Sequence, residues 1–130
     1  MLLFKQKFIE QIKNGEKTQT IRLWKRCRMR TGQRSYIAGV GYIRIESVER
    51  IELDQLTDDD AVLDGFSTAD LLREEIYALY GKDAMKKLKA YKIRFTVCSE
   101  SEQERIKEER EMKLEIEKNR QRLFQHFDFT

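Results

Sequence analysis

The sequence contains few of the residues that usually bind metals or build a catalytic triad. Its 130 residues include one histidine, His126, and two cysteines, Cys27 and Cys98, which lie far apart and form no CxxC pair. This scarcity argues against zinc sites of the ordinary ligand types and against Ser-His-Asp or Cys-His catalysis. We therefore expect no metal and no cofactor, so any chemistry must depend on other side chains.

The chain also lacks a long apolar run. Lysines at positions 5 and 7 interrupt the apolar residues near the start before they reach the length of a signal peptide or a membrane span. We expect a soluble, cytoplasmic protein with no membrane contact and with both thiols free. A chain of 130 residues is long enough for one hydrophobic core and an appendage.

Basic and acidic residues nearly balance over the whole chain, and the net charge of +3 does not by itself indicate a polyanionic partner. Residues 22–34, called the basic stretch below, differ because they contain no acidic residue and six basic ones: Arg22, Lys25, Arg26, Arg28, Arg30 and Arg34. With Trp24 inside the stretch and Tyr36 just beyond it, this composition favours RNA binding through phosphate contacts and base stacking. Two structural alternatives stay open: a solvated loop, or arginines paired with the acidic residues 54–60.

The first part of the chain has the pattern of a short helix followed by strands. Within residues 5–13 the apolar side chains recur at helical spacing, and an Asn-Gly pair then supplies a helix stop. Residues 18–24 are rich in β-branched residues and predict a strand. Residues 35–48 predict either two strands or one long strand bent at its glycines, with Ile51 and Leu53 extending the β region.

A second helix and a closing strand are predicted further along. Ser67 and Asp70 have the spacing of a capping box, which places a helix over residues 68–80 with Gly81 as its stop. The predicted buried side of this helix comprises Leu71, Leu72, Ile76, Leu79 and Tyr80. Strict alternation predicts a strand over residues 90–97, with four residues on one face: Tyr91, Ile93, Phe95 and Val97.

From residue 99 onward the composition changes to Glu, Lys, Arg and Gln without glycine. This change predicts a core domain over residues 1–98 and a charged helical extension over residues 99–130. Position 119 or 120 interrupts the apolar stripe of the extension, so no regular heptad seam is predicted for Met112, Ile116, Leu123 and Phe127. The extension either docks its terminal aromatic residues on the domain or mediates homodimerisation or partner binding through residues 99–127.

Residues 15–22, Gly-Glu-Lys-Thr-Gln-Thr-Ile-Arg, combine a glycine turn with the entrance to a strand. Because side chains on one face of a strand repeat every second residue, Thr20 and Arg22 share a face, with Lys17 at the entrance. This placement predicts a cationic pocket that contains a hydroxyl. The alternative is that the threonines only favour the strand and that Lys17 only solvates the turn.

The order of these motifs resembles the ASCH domains of the PUA-like superfamily over residues 2–97. The most specific signature is Gly15-x-Lys17-Thr18-x-Thr20-x-Arg22, and Asp64-Gly65-Phe66 before a helix with a Ser or Thr cap supports it. The resemblance implies an α+β fold, a small β-barrel flanked by helices. It also implies a cleft between barrel and helix that is associated with recognition of RNA or of a nucleoside.

Some ASCH proteins are amidohydrolases that deacetylate N4-acetylcytidine with a Lys, a Thr and a Glu. The resemblance implies Lys17 and Thr20 for the first two roles and places the acidic role at Asp64, where an Asp stands instead of the longer Glu. A threonine hydroxyl becomes a nucleophile when a base takes its proton, and a lysine whose pKa is lowered can supply that base. The resemblance therefore implies amide hydrolysis through Lys17, Thr20 and Asp64, with a departure from the family pattern at the acidic position.

The sequence thus predicts three functions in a definite order. The first is recognition of RNA or of a modified nucleoside, in the cleft lined by Lys17, Thr20, Arg22 and Asp64 and along the basic stretch to Tyr36. The second is hydrolysis of N4-acetylcytidine through Lys17, Thr20 and Asp64. The third is ribonuclease activity, a property of some ASCH proteins, for which Tyr36, Tyr42, Lys17 and Ser35 offer side chains of the types involved but no motif can be matched residue by residue.

Overall fold

The computed structural model describes residues 2–127, with side chains as far as residue 125. Within these residues the strands are Gln19–Trp24 (β1), Arg34–Ile37 (β2), Gly41–Ile51 (β3) and Lys89–Val97 (β4). The α-helices are Ile9–Lys13 (α1), Asp58–Leu63 (α2), Ala69–Lys87 (α3) and Glu100–Phe127 (α4), and 3-10 helices cover Gln6–Phe8 and Leu53–Gln55. Over residues 2–127, every helix is too short or too polar to span a bilayer.

The four strands form one antiparallel sheet in the order β1-β4-β3-β2, which curls into a half-barrel. β4 lies inside the sheet because its alternating residues Tyr91, Ile93 and Phe95 are apolar and buried. The pairing of β3 with β4 changes register between Ile45 and Ser47, and such a bulge bends the strand and increases its twist. The predicted α+β fold class is confirmed.

Residues 35–48 form two strands and not one bent strand. β2 and β3 are joined by a turn in which Gly39 has a φ of +86°, and a Cβ atom there would lie 3.3 Å from Cγ2 of Ile9. The positive φ therefore favours glycine at this turn, and any larger residue would also push the Ile9 side chain by a few tenths of an ångström. The prediction that the β region extends to Ile51 is confirmed, but the prediction for Leu53 is wrong, because Leu53 begins a 3-10 helix.

The helix caps differ from the predicted ones. A complete capping box lies at the start of α2, where Thr57 and Asp60 bond each other's backbone N–H groups. The predicted box at Ser67 and Asp70 is wrong: the N-cap of α3 is Thr68, whose hydroxyl accepts a hydrogen bond from the backbone of residue 71. Thr57 with Asp60 and Ser67 with Asp70 have the same spacing in the sequence, so whether a pair forms a capping box depends on where the chain turns into its helix.

Helix α3 buries a narrower side than the sequence predicts. Leu72 and Ile76 are buried, but Leu71 and Leu79 are exposed, so the prediction is wrong for those two. The predicted stop at Gly81 interrupts the helix with a φ of +78°, and helical structure then resumes as far as residue 87. A single stripe of α3 meets the sheet, and the remaining leucines lie outside it.

Two hydrophobic clusters stabilise the fold. The first joins the N-terminal segment and α1 to the sheet through Leu2, Ile9, Ile12, Met29, Ile37, Ile43, Ile45, Ile93 and Phe95. The second joins α2 and α3 to the sheet through Ile21, Leu23, Leu56, Ala61, Ala69, Leu72, Ile76 and Ala90. The sheet therefore carries helices on both sides, and β1 contributes its buried residues to the second cluster.

The chain divides into two compact units, Met1–Val97 and Cys98–Thr130. The described part of the second unit is mainly helix α4, and the hydroxyl of Ser99 accepts a hydrogen bond from a backbone N–H in its first turn. Large apolar side chains are exposed along this helix: Met112, Leu114, Ile116, Leu123 and Phe124. The side chain of Phe127, which the predicted stripe includes, lies outside the described residues.

Candidate functional site

A cavity of about 280 Å³ lies between the N-terminal segment, the start of β1, the end of α2 and helix α3. Its volume is close to the lower end of the range for small-molecule pockets, about 300 Å³. Polar and charged groups that line it include Lys17, Thr20, Arg22, Asp64 and Glu75. The structure thus brings together in one cavity the four cleft residues that the sequence singled out.

Lys17 reaches the cavity because the turn at Gly15 directs the chain from α1 into β1. Its side chain is 3% exposed, and its Nζ atom donates hydrogen bonds of 2.5 Å to the backbone oxygen and to Oδ1 of Asp64. Asp64 is the C-cap of α2 and is itself buried. The backbone N–H of Thr18 also donates to the oxygen of Leu63, at 2.8 Å, which joins the end of α2 to the start of β1.

Gln19 supports the same carboxylate from β1, and its side chain is completely buried. Its Nε2 atom donates to Oδ2 of Asp64 at 3.2 Å and to the backbone oxygen of Asp60 at 3.1 Å. The two carboxylate oxygens of Asp64 therefore have different donors, Lys17 on one and Gln19 on the other. This arrangement fixes the orientation of the carboxylate toward Lys17.

Three phenylalanine rings surround the ammonium group of Lys17. The ring centroids of Phe8, Phe66 and Phe4 lie 4.7, 5.8 and 5.9 Å from Nζ. Cations are attracted to aromatic faces at such distances, and the rings also exclude water from the charge. The cavity is therefore apolar on several sides around one buried ion pair.

Burial lowers the pKa of Lys17 below its ordinary value, and the nearby Arg22 guanidinium lowers it further, against the opposing effect of the Asp64 carboxylate. Burial likewise raises the pKa of Asp64, against the opposing effects of Lys17 and Gln19. The two shifts act in the same sense, because each favours the neutral form of its group. A lowered lysine pKa beside a raised carboxyl pKa narrows the difference between the two values, which favours proton transfer between the groups.

Thr20 and Arg22 lie on one face of β1, as the alternation of a strand predicts. The hydroxyl of Thr20 is buried and accepts a hydrogen bond of 3.1 Å from Nε of Arg22. The guanidinium also donates to the backbone oxygen of Leu3 at 2.7 Å and lies 4.8 Å from the ring centroid of Phe4. Because Thr20 accepts in this bond, its own O–H remains the donor that a base would deprotonate.

Glu75 is a cavity residue that sequence reasoning missed. It lies on α3 between the buried residues Leu72 and Ile76 and accepts hydrogen bonds or ion pairs from Lys5 at 3.0 Å and Lys7 at 3.2 Å. The hydrogen bond from Lys5 is the main reason that the pKa of Glu75 lies below its ordinary value. Its position beside Leu72 and Ile76 is the one signal that the sequence offers, and that signal does not distinguish the buried stripe from the other apolar residues of α3.

The basic stretch has the opposite character beyond Arg22. Lys25, Arg26, Arg28 and Arg30 are exposed, and none of them forms an ion pair with a carboxylate of the described residues. Asp60, in the acidic segment, pairs instead with Lys92 and Arg94, at 3.4 and 3.8 Å. The alternative in which arginines of the basic stretch pair with residues 54–60 is therefore wrong for Arg26, Arg28 and Arg30.

Part of the stretch lines a groove of about 770 Å³ through Trp24, Lys25, Arg26 and Arg28. Tyr80 lines both this groove and the cavity, so the two adjoin each other. Trp24 is half-buried, packs against the first hydrophobic cluster and lies 5.7 Å from the ring of Tyr91. Its position is thus partly structural.

Other predicted binding residues lie elsewhere. Arg34 and Tyr36 are on β2, which forms the sheet edge opposite β1. Tyr36 is 40% exposed, and its ring contacts that of Tyr42 at 5.1 Å. None of Ser35, Tyr36 and Tyr42, the residues considered for a ribonuclease, is among those lining the cavity with Lys17.

Metal binding finds no support among the described side chains. Across residues 2–125, no three His, Cys, Asp or Glu side chains lie close enough together to hold a metal ion. The carboxylates of α2 are instead used locally, where Asp60 completes the capping box and Asp58 accepts a hydrogen bond of 2.8 Å from the backbone of Ala69. Asp60 therefore caps α2, and Asp58 accepts a hydrogen bond at the start of α3.

Comparison with known proteins shows similarity at the level of structure. No protein-family model matches the chain, and no curated protein matches it. Among solved structures, an ASCH domain from Lactobacillus crispatus superposes with a TM-score of 0.59 at 16% identity, covering 68% of this chain and 69% of that one. The hypothetical protein PH0355 gives a TM-score of 0.64 at 17% identity, over 74% of this chain and 95% of that one.

A third solved structure, protein EF3133 of Enterococcus faecalis, gives a TM-score of 0.56 at 16% identity, over 70% of this chain and 69% of that one. At these identities the likeness concerns the arrangement of strands and helices and not the identity of individual side chains. The chain therefore has the fold of an ASCH domain.

Proposed function

We propose that the cavity binds a modified nucleoside and hydrolyses an amide on its base, with N4-acetylcytidine as the substrate to test. The observation that carries this proposal is the convergence in one cavity of a buried lysine, a buried threonine hydroxyl and two carboxylates among three phenylalanine rings. Flat apolar walls favour a planar base, and the few polar groups would fix its orientation. The cavity is thus suited to a nucleoside and not to a long chain molecule.

The first chemical step would form an ester on Thr20. Lys17, whose lowered pKa makes its neutral form accessible, takes the proton of the Thr20 hydroxyl as the oxygen attacks the amide carbonyl. The Arg22 guanidinium, which already bonds this hydroxyl, stabilises the negative charge that develops on the carbonyl oxygen. The C–N bond then breaks, and the proton passes through Lys17 and Asp64 to the leaving amine.

The second step would release acetate by hydrolysis of the ester. A water molecule attacks the ester carbonyl while a carboxylate accepts one of its protons; as the bond between the carbonyl carbon and the Thr20 oxygen breaks, that proton passes to Thr20 and acetate leaves. We assign the carboxylate to Glu75 by its position, because it lines the cavity, whereas Asp64 is committed to Lys17 and Gln19. We therefore divide the acidic role: Asp64 positions Lys17 and exchanges protons with it, and Glu75 accepts the proton from the water.

The test is incubation of the purified chain with N4-acetylcytidine, followed by chromatographic measurement of cytidine release. Lys17→Ala and Thr20→Ala should each lower the rate by at least about 100-fold, the scale of general acid–base catalysis. Lys13→Ala is the matched control, because Lys13 lies on the same short segment but is exposed. Full activity in both Lys17→Ala and Thr20→Ala would contradict the assigned chemistry.

RNA binding along the groove is a second candidate, favoured by one specific observation. Lys25, Arg26 and Arg28 are exposed, have no carboxylate partner among the described residues and line a groove that adjoins the cavity. Such cations are available for phosphates, and their binding should weaken as salt rises. A gel shift with a single-stranded oligoribonucleotide tests this, and binding that is indifferent to Arg26→Glu, Arg28→Glu and Arg30→Glu combined would contradict it.

A further inference from the structure

Three large apolar side chains lie along one side of helix α4 and are exposed. Met112, Ile116 and Leu123 are 65%, 50% and 56% exposed. If Asn119, which interrupts the apolar stripe, is counted as a polar core position, the four residues follow one another at intervals of four, three and four, which is the alternation of d and a over this short part of the helix. A helix with such a seam is suited to pairing with a second helix.

The charges beside this seam indicate which helix would pair with it. In this register Glu108, Glu115 and Arg122 occupy g positions, and Lys113 and Arg120 occupy e positions. In a parallel pair of identical helices, each g residue faces the e residue five positions later on the other helix. Glu108 then faces Lys113 and Glu115 faces Arg120, so both of these contacts join opposite charges.

An antiparallel pair of the same helices is less favourable. There, e positions face e positions and g positions face g positions, so Lys113 meets Arg120, two like charges, while Glu115 meets Arg122, two opposite charges. The same seam therefore distinguishes the two directions. A helix that is complementary to its own copy in one direction has the property that a symmetric dimer requires.

We propose that residues 112–123 of α4 form a parallel dimer interface with a second copy of this chain. Asn119 then lies at a core position opposite Asn119 of the second copy, and a buried amide pair of this kind fixes the register of a coiled coil. Arg105 and Glu109 occupy the preceding core positions, so the apolar seam is confined to the C-terminal half of the helix. This inference is independent of the proposed activity of the cavity.

The oligomeric state of the full chain tests the interface. Light scattering across a concentration series should show a mass rising from 15.6 kDa toward twice that value. Ile116→Glu and Leu123→Glu should hold the mass at the monomer value over the same range. A monomer mass for the unsubstituted chain at every concentration would overturn the proposal.

The helix offers matched controls for these variants. Leu114 and Phe124 are 63% and 77% exposed but lie outside the seam, so Leu114→Glu and Phe124→Glu should dimerise like the unsubstituted chain. If they prevent association as strongly as the seam variants, the association is unspecific and the seam is not its cause. All four positions are exposed in the monomer, so none of these changes removes a core contact.

Disulfide trapping tests the direction. Asn119→Cys should form a disulfide with its own copy under mild oxidation, located by peptide mass analysis, because a parallel pair places both residues 119 within bonding reach. Leu114→Cys should not do so. Cross-linking of an Asn119→Cys chain to an Ile116→Cys chain, in preference to the 119–119 bond, would show an antiparallel pair and overturn the proposed direction.

Discussion

Two groups of cations lie close together along the chain but have opposite surroundings. Lys17 and Arg22 lie in or beside the cavity, among phenylalanine rings and with fixed hydrogen-bond partners. Lys25, Arg26 and Arg28 follow within a few residues and are exposed. Burial lowers the pKa values of the first group, Lys17 and Arg22, and makes these residues depend on single contacts. In the second group, water screens the charges. Residue type alone therefore says little about what a cation in this molecule does.

The largest difference should appear when one member of the buried pair is removed. Lys17→Met leaves Asp64 buried without its cation and should lower the free energy of unfolding by about 3–5 kcal/mol. Lys13→Met breaks only the exposed contact with Glu10, 3.9 Å long, and should cost about 0–1 kcal/mol. Urea denaturation of the two variants measures both values. Equal costs would mean that the buried pair contributes no more than a surface pair.

A smaller effect is expected from the amide that orients Asp64. Gln19→Met keeps the length of the side chain but removes the donor to the Asp64 carboxylate and to the backbone of Asp60. Leaving those acceptors unsatisfied should cost about 1–3 kcal/mol. Gln121→Met, an exposed amide on α4, is the control and should stay within about 0.5 kcal/mol of the unsubstituted chain. Thermal denaturation followed by circular dichroism is the measurement, and equal melting temperatures for the two variants would contradict the role given to Gln19.

Much of the cavity follows from local sequence rules. Alternation along β1 places Thr20 and Arg22 on one face, and the glycine turn places Lys17 just before them. The order of the motifs also brings in Asp64, since the ASCH-like pattern puts it next to the lysine. These relations depend on backbone geometry over a few residues or on a known order of elements.

The residues that were missed depend on packing between distant segments. Glu75 joins the cavity only because one stripe of α3 meets the sheet, and the sequence offers several apolar residues from which that stripe could be chosen. The exposure of Leu71 and Leu79 shows that the choice was ambiguous. The local pattern identifies Gln19 only as a strand residue, because its hydrogen-bond partner, Asp64, lies 45 residues away. Periodicity identifies a helix, but not which of its faces meets the core.

Glu75 provides an ion pair intermediate between the buried and the exposed groups. Its own side chain is partly buried, while those of its partners Lys5 and Lys7 are about half exposed. The Lys5 hydrogen bond lowers its folded pKa below the ordinary 4.5. Since the unfolded state then binds more protons as the pH falls, the stabilisation is complete above pH 4.5 and is lost as the pH drops through the folded pKa. Glu75→Gln should therefore cost up to about 1 kcal/mol at neutral pH and less at acidic pH, by urea denaturation. A difference that stays the same at both pH values would contradict this assignment.

The smallest effect on stability is expected in the exposed group, where the change should appear in binding instead. Arg26→Glu with Arg28→Glu should alter the free energy of unfolding by no more than about 0.5 kcal/mol. If both arginines contact phosphates, the slope of log affinity for an oligoribonucleotide against log salt should become shallower by about 1.4, since each contact on a single strand contributes about 0.7. Lys13→Glu with Lys118→Glu changes the net charge equally at residues that do not line the groove. A slope that flattens as much in that control would mean that overall charge, and not the groove, attracts the strand.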